Sequence, residues 1–313
     1  MAKSNWTLLT PPSQGAIAII QITGDVDHVL SSLTERSSWE IGKMHLTNIP
    51  EIDEVVAVKL SDTLAHIMPH GGMQILRNFA HRCADLGLEQ IDTPQFPEAQ
   101  DEIEVAMLRA LSIAESPLAA ELLLAQPPKL RGTAPSQEDL DRSSRLNHLI
   151  TPPKVVLLGK PNTGKSTLMN ALTRQDTSIV HDLPGATRDA VGARINCAGL
   201  VIDLYDLPGY RESDDEIEQE AIRIASAITN EATLTILIAD NEHNWIESSH
   251  THTISVATKS DLGERGDADL SVCAISGNCM EELSVLIRDA IVPPADIVHE
   301  GPWFFAGYSP IAE

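Results

Sequence analysis

The sequence predicts an α/β fold in which a parallel-rich sheet lies between helices and follows a small α+β domain and a short helical segment. Two observations lead to this prediction. From Lys154 to about Val292, short apolar runs alternate with amphipathic stretches, which is typical of a parallel sheet covered by helices on both faces. Directly after the first apolar run, Gly159 to Ser166 match the phosphate-loop pattern G-x-x-x-x-G-K-[ST] at every fixed position.

The chain of 313 residues is long enough for two domains with a core each. We divide it into a small α+β domain at 1–98, a shortened helical segment and linker at 99–153, a nucleotide-binding domain at 154–293 and a tail at 294–313. The predicted strands of the third segment are 154–158, 190–197, 200–206, 233–239, 252–258 and 270–275. Its predicted helices are 165–174, 215–229 and 280–291.

The first segment contains three apolar runs with strand character, at 16–22, 54–60 and 64–68. Between Ile75 and Cys83, apolar residues recur at helical spacing, which predicts one amphipathic helix. His70 stands beside two glycines. It is either a ligand or the cap of a turn, and the turn is the commoner role.

The second segment is helical in pattern from Glu102 to Gln126, with an interruption at Ser116-Pro117, where proline suits the first turn of a new helix. Residues 133–147 are polar and predict a loosely held helix. The C-terminal tail concentrates four aromatic residues, which we expect to dock on the chain or to bind a partner. They are Trp303, Phe304, Phe305 and Tyr308.

Composition limits the functions that this chain can have. Its net charge of -23 and pI of 4.7 disfavour non-specific binding to the phosphates of nucleic acids, so any RNA contact must use a local basic patch. The four cysteines have neither paired nor zinc-ligand spacing, which predicts free thiols. No apolar run is long enough to span a membrane, and the N-terminus lacks a signal-peptide pattern, so we expect a cytoplasmic protein.

The phosphate loop predicts a nucleotide site. Its glycines let backbone N–H groups surround phosphates, and the following helix adds the positive end of its dipole. Lys165 is expected to reach the β- and γ-phosphates, and Ser166 to bind Mg²⁺. The loop residues that we expect to contact the nucleotide are Asn162, Thr163, Gly164, Lys165, Ser166 and Thr167.

A second phosphate-contacting pattern, D-x-x-G, ends a predicted strand at Asp206 and Gly209. An aspartate at such a strand end can hold Mg²⁺ through water, and the glycine N–H can contact the γ-phosphate. The pattern is weak alone. Its distance from the phosphate loop and its place at the tip of an apolar strand make it strong.

A base-recognition pattern follows the next strands. Thr258-Lys259-Ser260-Asp261 resembles the N-K-x-D guanine motif of GTPases, with threonine in place of asparagine. Asp261 has the carboxylate that would accept from N1 and the 2-amino group of guanine, and the Lys259 stem would lie on the base. Cys273 and Ala274 stand where GTPases carry the first residues of S-A-K, with their backbone near the guanine oxygen.

Between these patterns, Gly185-Ala186-Thr187-Arg188-Asp189 is similar to the G-T-T-R-D switch of the MnmE (TrmE) family of tRNA-modification GTPases. The resemblance implies GTP and GDP as ligands and Thr187 as the switch threonine that closes on Mg²⁺. Asn162 matches the asparagine that coordinates K⁺ in the family. The residue that activates water falls on Glu218. From the pattern of charges alone, Glu218 is one acid on a solvated helix face.

The resemblance extends to the first segment, where Thr10-Pro11-Pro12 and His70-Gly71-Gly72 are similar to family motifs. It implies a domain that binds a folate and forms a homodimer, with a further dimer contact through the G domains. The folate-facing Arg, Glu and Lys of the family correspond here to Gln21, His66 and Glu102, so we expect that folate is not bound as in the family.

The family resemblance leaves two main functions open, beside a third, an inactive GTP-binding scaffold. The first is a Mg²⁺- and K⁺-dependent GTPase of tRNA wobble-uridine modification, with tRNA and a protein similar to MnmG as partners. The second is a nucleotide-gated interaction protein that no longer takes part in that chemistry, because the family's closing C-x-G-K motif does not follow Val292. The histidines at 243, 250 and 252 could indicate a metal, but a solvated loop is the better interpretation.

Overall fold

The computed structural model describes residues 3–10, 16–92, 94–175, 191–206, 229–248 and 250–308. They divide into two compact units, Met1–Ile113 and Ala114–Glu313. The division falls inside the predicted helical segment. Thr187, Gly209, Glu218, Pro11, Pro12 and residues 215–228 of a predicted helix lie outside the described residues.

The first unit contains a six-stranded sheet with the order β3-β4-β5-β2-β1-β6, in which only the β1–β6 pair is parallel. The strands are β1 (Asn5–Leu8), β2 (Ile20–Thr23), β3 (Met44–Ile49), β4 (Asp53–Ser61), β5 (Leu64–Met68) and β6 (Glu89–Gln90). The helices are α1 (Val26–Leu33), α2 (Met73–Asp85) and α3 (Glu102–Ile113). Trp6 and Phe79 pack edge to face in the core, with their ring centroids 5.8 Å apart.

Sequence patterns predicted β4, β5, α2 and α3 of this unit but missed several other elements. The run at 16–22 becomes a strand only from Ile20 onward. β3 is an edge strand whose Met44 and Leu46 are exposed, so it lacks a buried apolar face. β1 and β6 have four and two residues, which is too short for a periodic signal.

The second unit is built on another six-stranded sheet with the order β12-β11-β10-β7-β9-β8. All neighbouring strands are parallel except β8 and β9, which form an antiparallel hairpin. The strands are β7 (Lys154–Gly159), β8 (Val191–Cys197), β9 (Leu200–Asp206), β10 (Leu234–Ala239), β11 (Thr253–Ala257) and β12 (Leu270–Ser271). The helices on this sheet are α7 (Lys165–Gln175) and α8 (Met280–Ile291).

This topology places the candidate site. β7 is central, and its residues 155–158 are buried, as expected for a strand covered on both faces. Because β7, β9, β10 and β11 are parallel, their carboxyl ends meet at one edge of the sheet. The loops that leave this edge carry the phosphate loop, Asp206 and the base-recognition residues. The predicted strands of this unit are confirmed to within two residues, except that β12 ends at Ser271.

Four short helical elements precede the second sheet. They are α4 (Pro117–Leu124), α5 (Pro127–Leu130), α6 (Gln137–Leu146) and a 3₁₀ turn at Asn147–Leu149. The break at Ser116-Pro117 is confirmed, with proline at the start of α4. α6 begins with a capping box, in which Ser136 and Asp139 bond each other's backbone N–H groups. The expectation of a loosely held α6 is wrong, because Arg142 and Ser143 are buried.

The C-terminal segment, residues 301–308, explains why α6 is held. Trp303 is 1% exposed and Phe305 is fully buried. The side chains of Gln126 and Ser143 accept from the backbone N–H groups of Trp303 and Phe304, at 2.8 and 2.9 Å. The Trp303 indole donates to Asn147 at 3.0 Å. Of the two roles expected for the aromatic tail, docking on the chain itself is therefore confirmed.

The docked tail leads to a stability prediction. Trp303→Ala removes a fully buried indole and leaves the Asn147 carbonyl without that donor, so the free energy of unfolding should fall by about 3–5 kcal/mol. Denaturant titration of the full chain measures this loss. Trp245→Ala is the matched control, because Trp245 is half-exposed and rests on Arg265. An equal loss in the two variants would contradict the prediction.

None of the helices in the described part of the chain is long and apolar enough to cross a membrane. α2, with 13 residues, is among the longest of them.

Candidate functional site

The phosphate loop leaves the central strand β7 and closes against the neighbouring strand β10. A Cβ atom on Gly159 would lie 2.3 Å from the Ile238 carbonyl oxygen, so only glycine permits this approach. Asn162 and Gly164 have positive φ values of 64° and 90°, which curl the backbone before α7 begins at Lys165. The loop therefore has the tight turn and the following helix that phosphate binding requires.

The Lys165 side chain lies within this turn. It is 8% exposed, and its Nζ donates to the carbonyl oxygens of Gly159 at 2.9 Å and Lys160 at 3.0 Å. Burial lowers the pKa of Lys165, and the charge of Asp206 partly opposes this effect. The ammonium group thus lies at the centre of the loop, where phosphate oxygens can replace the carbonyls as acceptors.

Ser166 and Asp206 meet across the carboxyl edge of the sheet. The Ser166 Oγ donates to Oδ2 of Asp206 at 2.5 Å. Oδ1 of Asp206 is buried and has no hydrogen-bond partner among the residues that the structure describes. A buried carboxylate oxygen without a donor, next to a hydroxyl, fits the oxygen ligands that Mg²⁺ prefers. Two of the three residues named from the sequence as Mg²⁺ ligands are therefore neighbours in the fold, and the third, Thr187, lies outside the described residues.

Thr163 and Thr167 are the other two side chains of the predicted phosphate site. Thr163 is buried, and its hydroxyl donates to the Lys160 carbonyl at 2.8 Å, so its side chain braces the turn. Thr167 is exposed on the first turn of α7. The Asn162 side chain is exposed on the phosphate loop and carries an amide oxygen of the kind that binds monovalent cations.

The base-recognition loop after β11 is fastened to the phosphate loop by two side chains. Thr258 is 3% exposed, and its hydroxyl donates to the Thr163 carbonyl oxygen at 2.5 Å. Lys259 adopts a positive φ of 57°, and its Nζ donates to the Asn162 carbonyl oxygen at 2.9 Å. Two consecutive carbonyls of the phosphate loop are therefore held from the base loop.

Asp240 is a site residue that the sequence patterns missed. It directly follows β10 and is 2% exposed. Its carboxylate accepts from Lys259 Nζ at 2.6 Å and from His243 Nδ1 at 2.6 Å. Burial raises the pKa of Asp240, but the hydrogen bonds from Lys259 and His243 outweigh burial and hold the pKa well below its ordinary value. The sequence did contain a signal for Asp240, since an aspartate directly after an apolar strand can belong to a site at the carboxyl edge of a sheet.

The three histidines between β10 and β11 hold backbone and carboxylate groups. Besides the contact of His243 with Asp240, His250 Nε2 lies 2.8 Å from the Ala232 carbonyl oxygen, and His252 Nδ1 lies 2.8 Å from that of Thr233. His243 and His250 are half-buried and His252 is exposed, so these side chains contact both the protein and the solvent. No group of three metal-ligating residues occurs within the described ranges.

Asp261, the predicted guanine-binding carboxylate, is exposed beside a buried thiol. Cys273 Sγ donates to Oδ1 of Asp261 at 3.3 Å. The Cys273 backbone pairs with Asn278 in a narrow antiparallel turn, which leaves Ala274 half-buried next to the base loop. The base-recognition residues named from the sequence thus lie together.

Gln21 and His66, named for the comparison with folate-binding residues, are neighbours in the first unit. They face each other in the β2–β5 register, and Gln21 Nε2 lies 3.2 Å from His66 Nε2. Gln21 also donates to the Gln95 carbonyl and accepts from the Gln95 N–H. Burial lowers the pKa of His66. Glu102 is exposed at the start of α3.

His70 bonds Asp53 through its backbone N–H and its ring, which supports the role of His70 in a turn.

The sheet order, the phosphate loop and the base loop define a GTPase domain of the P-loop class. A family model described as "50S ribosome-binding GTPase" matches residues 154–262. The P-loop GTPase fold predicted from the sequence is confirmed.

Curated relatives of this domain are tRNA modification GTPases named MnmE. That of Rhizobium johnstonii is 40% identical over 144 residues, and that of Acidiphilium cryptum is 40% identical over 138 residues. These matches cover 44% and 43% of this chain and span 33% and 32% of the relatives. The resemblance to the MnmE family is confirmed over the GTPase domain, and the chain spans about a third of the length of these relatives.

Two solved structures are also similar to part of the chain. Era in complex with MgGDPNP and nucleotides of 16S ribosomal RNA has 25% identity and a TM-score of 0.36, over 44% of this chain and 56% of that one. The G domain of the T. maritima FeoB iron transporter has 24% identity and a TM-score of 0.32, over 44% of this chain and 98% of that one.

Proposed function

We propose that this chain binds GTP and hydrolyses it by attack of water on the γ-phosphate. One observation carries the proposal: the base loop and the phosphate loop are joined into one site by side chains of the base loop. Thr258 and Lys259 hold the carbonyls of Thr163 and Asn162, so a nucleotide on the phosphate loop has its base next to Asp261. The similarity to named GTPases over residues 154–262 supports the same conclusion.

The phosphate half of the site would act through positive charge and backbone N–H groups. Lys165, whose Nζ lies inside the turn, would bind the β- and γ-phosphate oxygens. The positive φ of Gly164 and the start of α7 direct N–H groups toward the same place. Thr167 at the helix start would contact the phosphate next to the ribose.

Ser166 and Asp206 would hold Mg²⁺, with Thr187 as a further ligand by family resemblance. When bound with GTP, Mg²⁺ would neutralise charge that develops on the phosphates in the transition state. The buried Oδ1 of Asp206, which has no donor among the described residues, supports this assignment. Gly209 would contact the γ-phosphate with its N–H group, and Glu218 would orient or deprotonate the attacking water.

The base should be guanine, because Asp261 can accept from both N1–H and the 2-amino group, whereas adenine offers neither donor there. Wild type should bind GTP well above ATP. Asp261→Asn should weaken GTP binding by roughly 10- to 100-fold, since a hydrogen bond to a charged group is lost. The same variant should gain affinity for xanthosine triphosphate, whose 2-oxo group can accept from the new amide.

Titration of fluorescently labelled GTP, ATP and xanthosine triphosphate against wild type and Asp261→Asn measures this preference. Asp267→Asn is the control, because Asp267 lies on the same loop but pairs with Arg265 and Trp245. Equal affinities of wild type for GTP and ATP would exclude the proposed function.

Hydrolysis should be faster in K⁺ than in Na⁺. In GTPases of the Ras type, an arginine finger that neutralises phosphate charge contributes 10³–10⁵ in rate. A monovalent cation bound by the Asn162 side chain could supply that charge, with carbonyls of residues 181–184 as further ligands, and Na⁺ is too small to reach all of them. By family resemblance two G domains face each other at this step, so the stimulated rate should rise with protein concentration.

Steady-state phosphate release in KCl and NaCl at matched ionic strength tests this prediction. Asn162→Ala should lose the preference for K⁺. Equal wild-type rates in the two salts would refute the cation site.

Glu218→Ala should lower kcat by about 10²–10⁴, as expected for loss of a general base, with little change in GTP affinity. Unchanged turnover of Glu218→Ala would show that Glu218 has no role in hydrolysis and is an ordinary solvated acid.

We further propose that the chain acts in tRNA wobble-uridine modification, together with tRNA and a protein similar to MnmG, as a homodimer through its N-terminal and G domains. The relatives named tRNA modification GTPase support this context, although the chain spans about a third of their length. Deletion of the gene followed by mass profiling of wobble uridines tests it. A lost modification that the Lys165→Ala variant fails to restore is the expected result. An unchanged profile would favour the nucleotide-gated interaction protein.

A further inference from the structure

The inference concerns the threonine that replaces asparagine in the base-recognition motif. Thr258 is buried at the junction of β11 and the base loop, at 3% exposure. Its hydroxyl lies 2.5 Å from the Thr163 carbonyl oxygen and 3.3 Å from the Ala239 carbonyl oxygen. Both neighbours are acceptors, so the single hydroxyl proton is directed into the protein.

A hydroxyl has one donor, whereas the amide of asparagine has two. The Thr258 backbone N–H is also engaged, because it donates to the Ala239 carbonyl at 2.9 Å. The hydroxyl is packed against the phosphate loop as well, since a Cβ on Gly164 would lie 3.3 Å from Thr258 Oγ1. The two donors of Thr258, its hydroxyl and its backbone N–H, are therefore both engaged within the protein. Neither is left to donate to a bound base.

The position of Thr258 defines which part of a purine it faces. Asp261, three residues later, would hold N1 and the 2-amino group, at the outer edge of the six-membered ring. Thr258 contacts the phosphate loop. Because the ribose joins the phosphates to the five-membered ring of a purine, that ring would lie on the side of Thr258. The polar atom exposed on that ring is N7, which is an acceptor and needs a donor.

We propose that this site recognises guanine without reading N7, and that Thr258 is a positioning residue that sets this specificity. This inference rests on the proposed GTP-binding function. The Thr258 hydroxyl fixes the Thr163 carbonyl and thereby the phosphate loop, while discrimination of the base falls to Asp261. The chemical class of ligand that the site accepts is consequently wider than guanine nucleotides. It includes those in which N7 is replaced by C–H.

The probe is 7-deaza-GTP, which retains O6, N1–H and the 2-amino group and lacks only the N7 acceptor. Wild type should bind it within about threefold of GTP, whereas a lost hydrogen bond would weaken binding by about 3- to 10-fold. Competition of GTP, 7-deaza-GTP and ATP against a labelled guanine nucleotide measures the three affinities. A wild-type preference for GTP over 7-deaza-GTP of threefold or more would overturn the inference.

Two variants test the role of Thr258. Thr258→Asn supplies a second donor and should raise the preference for GTP over 7-deaza-GTP to about 3- to 10-fold. Thr258→Val removes the hydroxyl and should weaken both nucleotides by the same factor, because the phosphate loop loses its brace. An unchanged preference in Thr258→Asn, or an unequal loss in Thr258→Val, would show that position 258 does not act as proposed.

The same competition separates this inference from the proposed function. Equal affinities for GTP and ATP, or no binding of GTP, would overturn the function and the inference with it. A clear preference for GTP over ATP that is combined with weak binding of 7-deaza-GTP would overturn the inference alone. Because the wild-type comparison decides by itself, the test does not depend on the folding of either variant.

Discussion

The contact between Gly159 and the Ile238 carbonyl is the constraint on which the site depends. It brings the phosphate loop against β10 at a distance that no side chain at position 159 would allow. Once the loop lies there, the residue after β10, Asp240, is close enough to anchor Lys259, and Lys259 can reach the Asn162 carbonyl. A chain of short polar contacts thus follows from one close backbone approach between two parallel strands.

These contacts also determine where charge lies. Lys165 and Lys259 bring two ammonium groups to the carboxyl edge of the second sheet, in a protein whose net charge is -23. Each is held by oxygen atoms of the protein itself, Lys165 by loop carbonyls and Lys259 by a carbonyl and the Asp240 carboxylate. A polyanionic ligand therefore meets local positive charge on a surface that otherwise repels it, which favours one binding place over non-specific contact.

The sequence predicted the parts of the site that depend on local spacing. The glycines and the lysine of the phosphate loop, Asp206 at a strand end and Asp261 after β11 all follow from short patterns next to apolar runs. Asp240 also directly follows an apolar strand, but the local pattern does not show its role, which depends on β10 lying next to β11 and the phosphate loop. The docking of Trp303 on Asn147 joins residues 156 positions apart, which no local pattern encodes.

Some missed elements did carry a signal. In α1, Asp25 caps the helix by accepting from the His28 N–H, and Val26, Val29, Leu30 and Leu33 are buried at helical spacing. The helix was missed because it spans only eight residues. β3 is different. Its alternating exposed residues, Met44 and Leu46, are apolar, so the usual correspondence between apolar side chains and the core does not hold on this edge strand.

β9 connects the candidate Mg²⁺ site to the helical segment. At one end it carries Asp206. At the other end, Val201 donates to Ser116 and Gly199 accepts from Leu118, about 20 Å away for a strand of this length. β9 is hydrogen-bonded to β8 along its whole length and to β7 over residues 203–206. The strand therefore provides a continuous hydrogen-bonded connection between Asp206 and the start of α4.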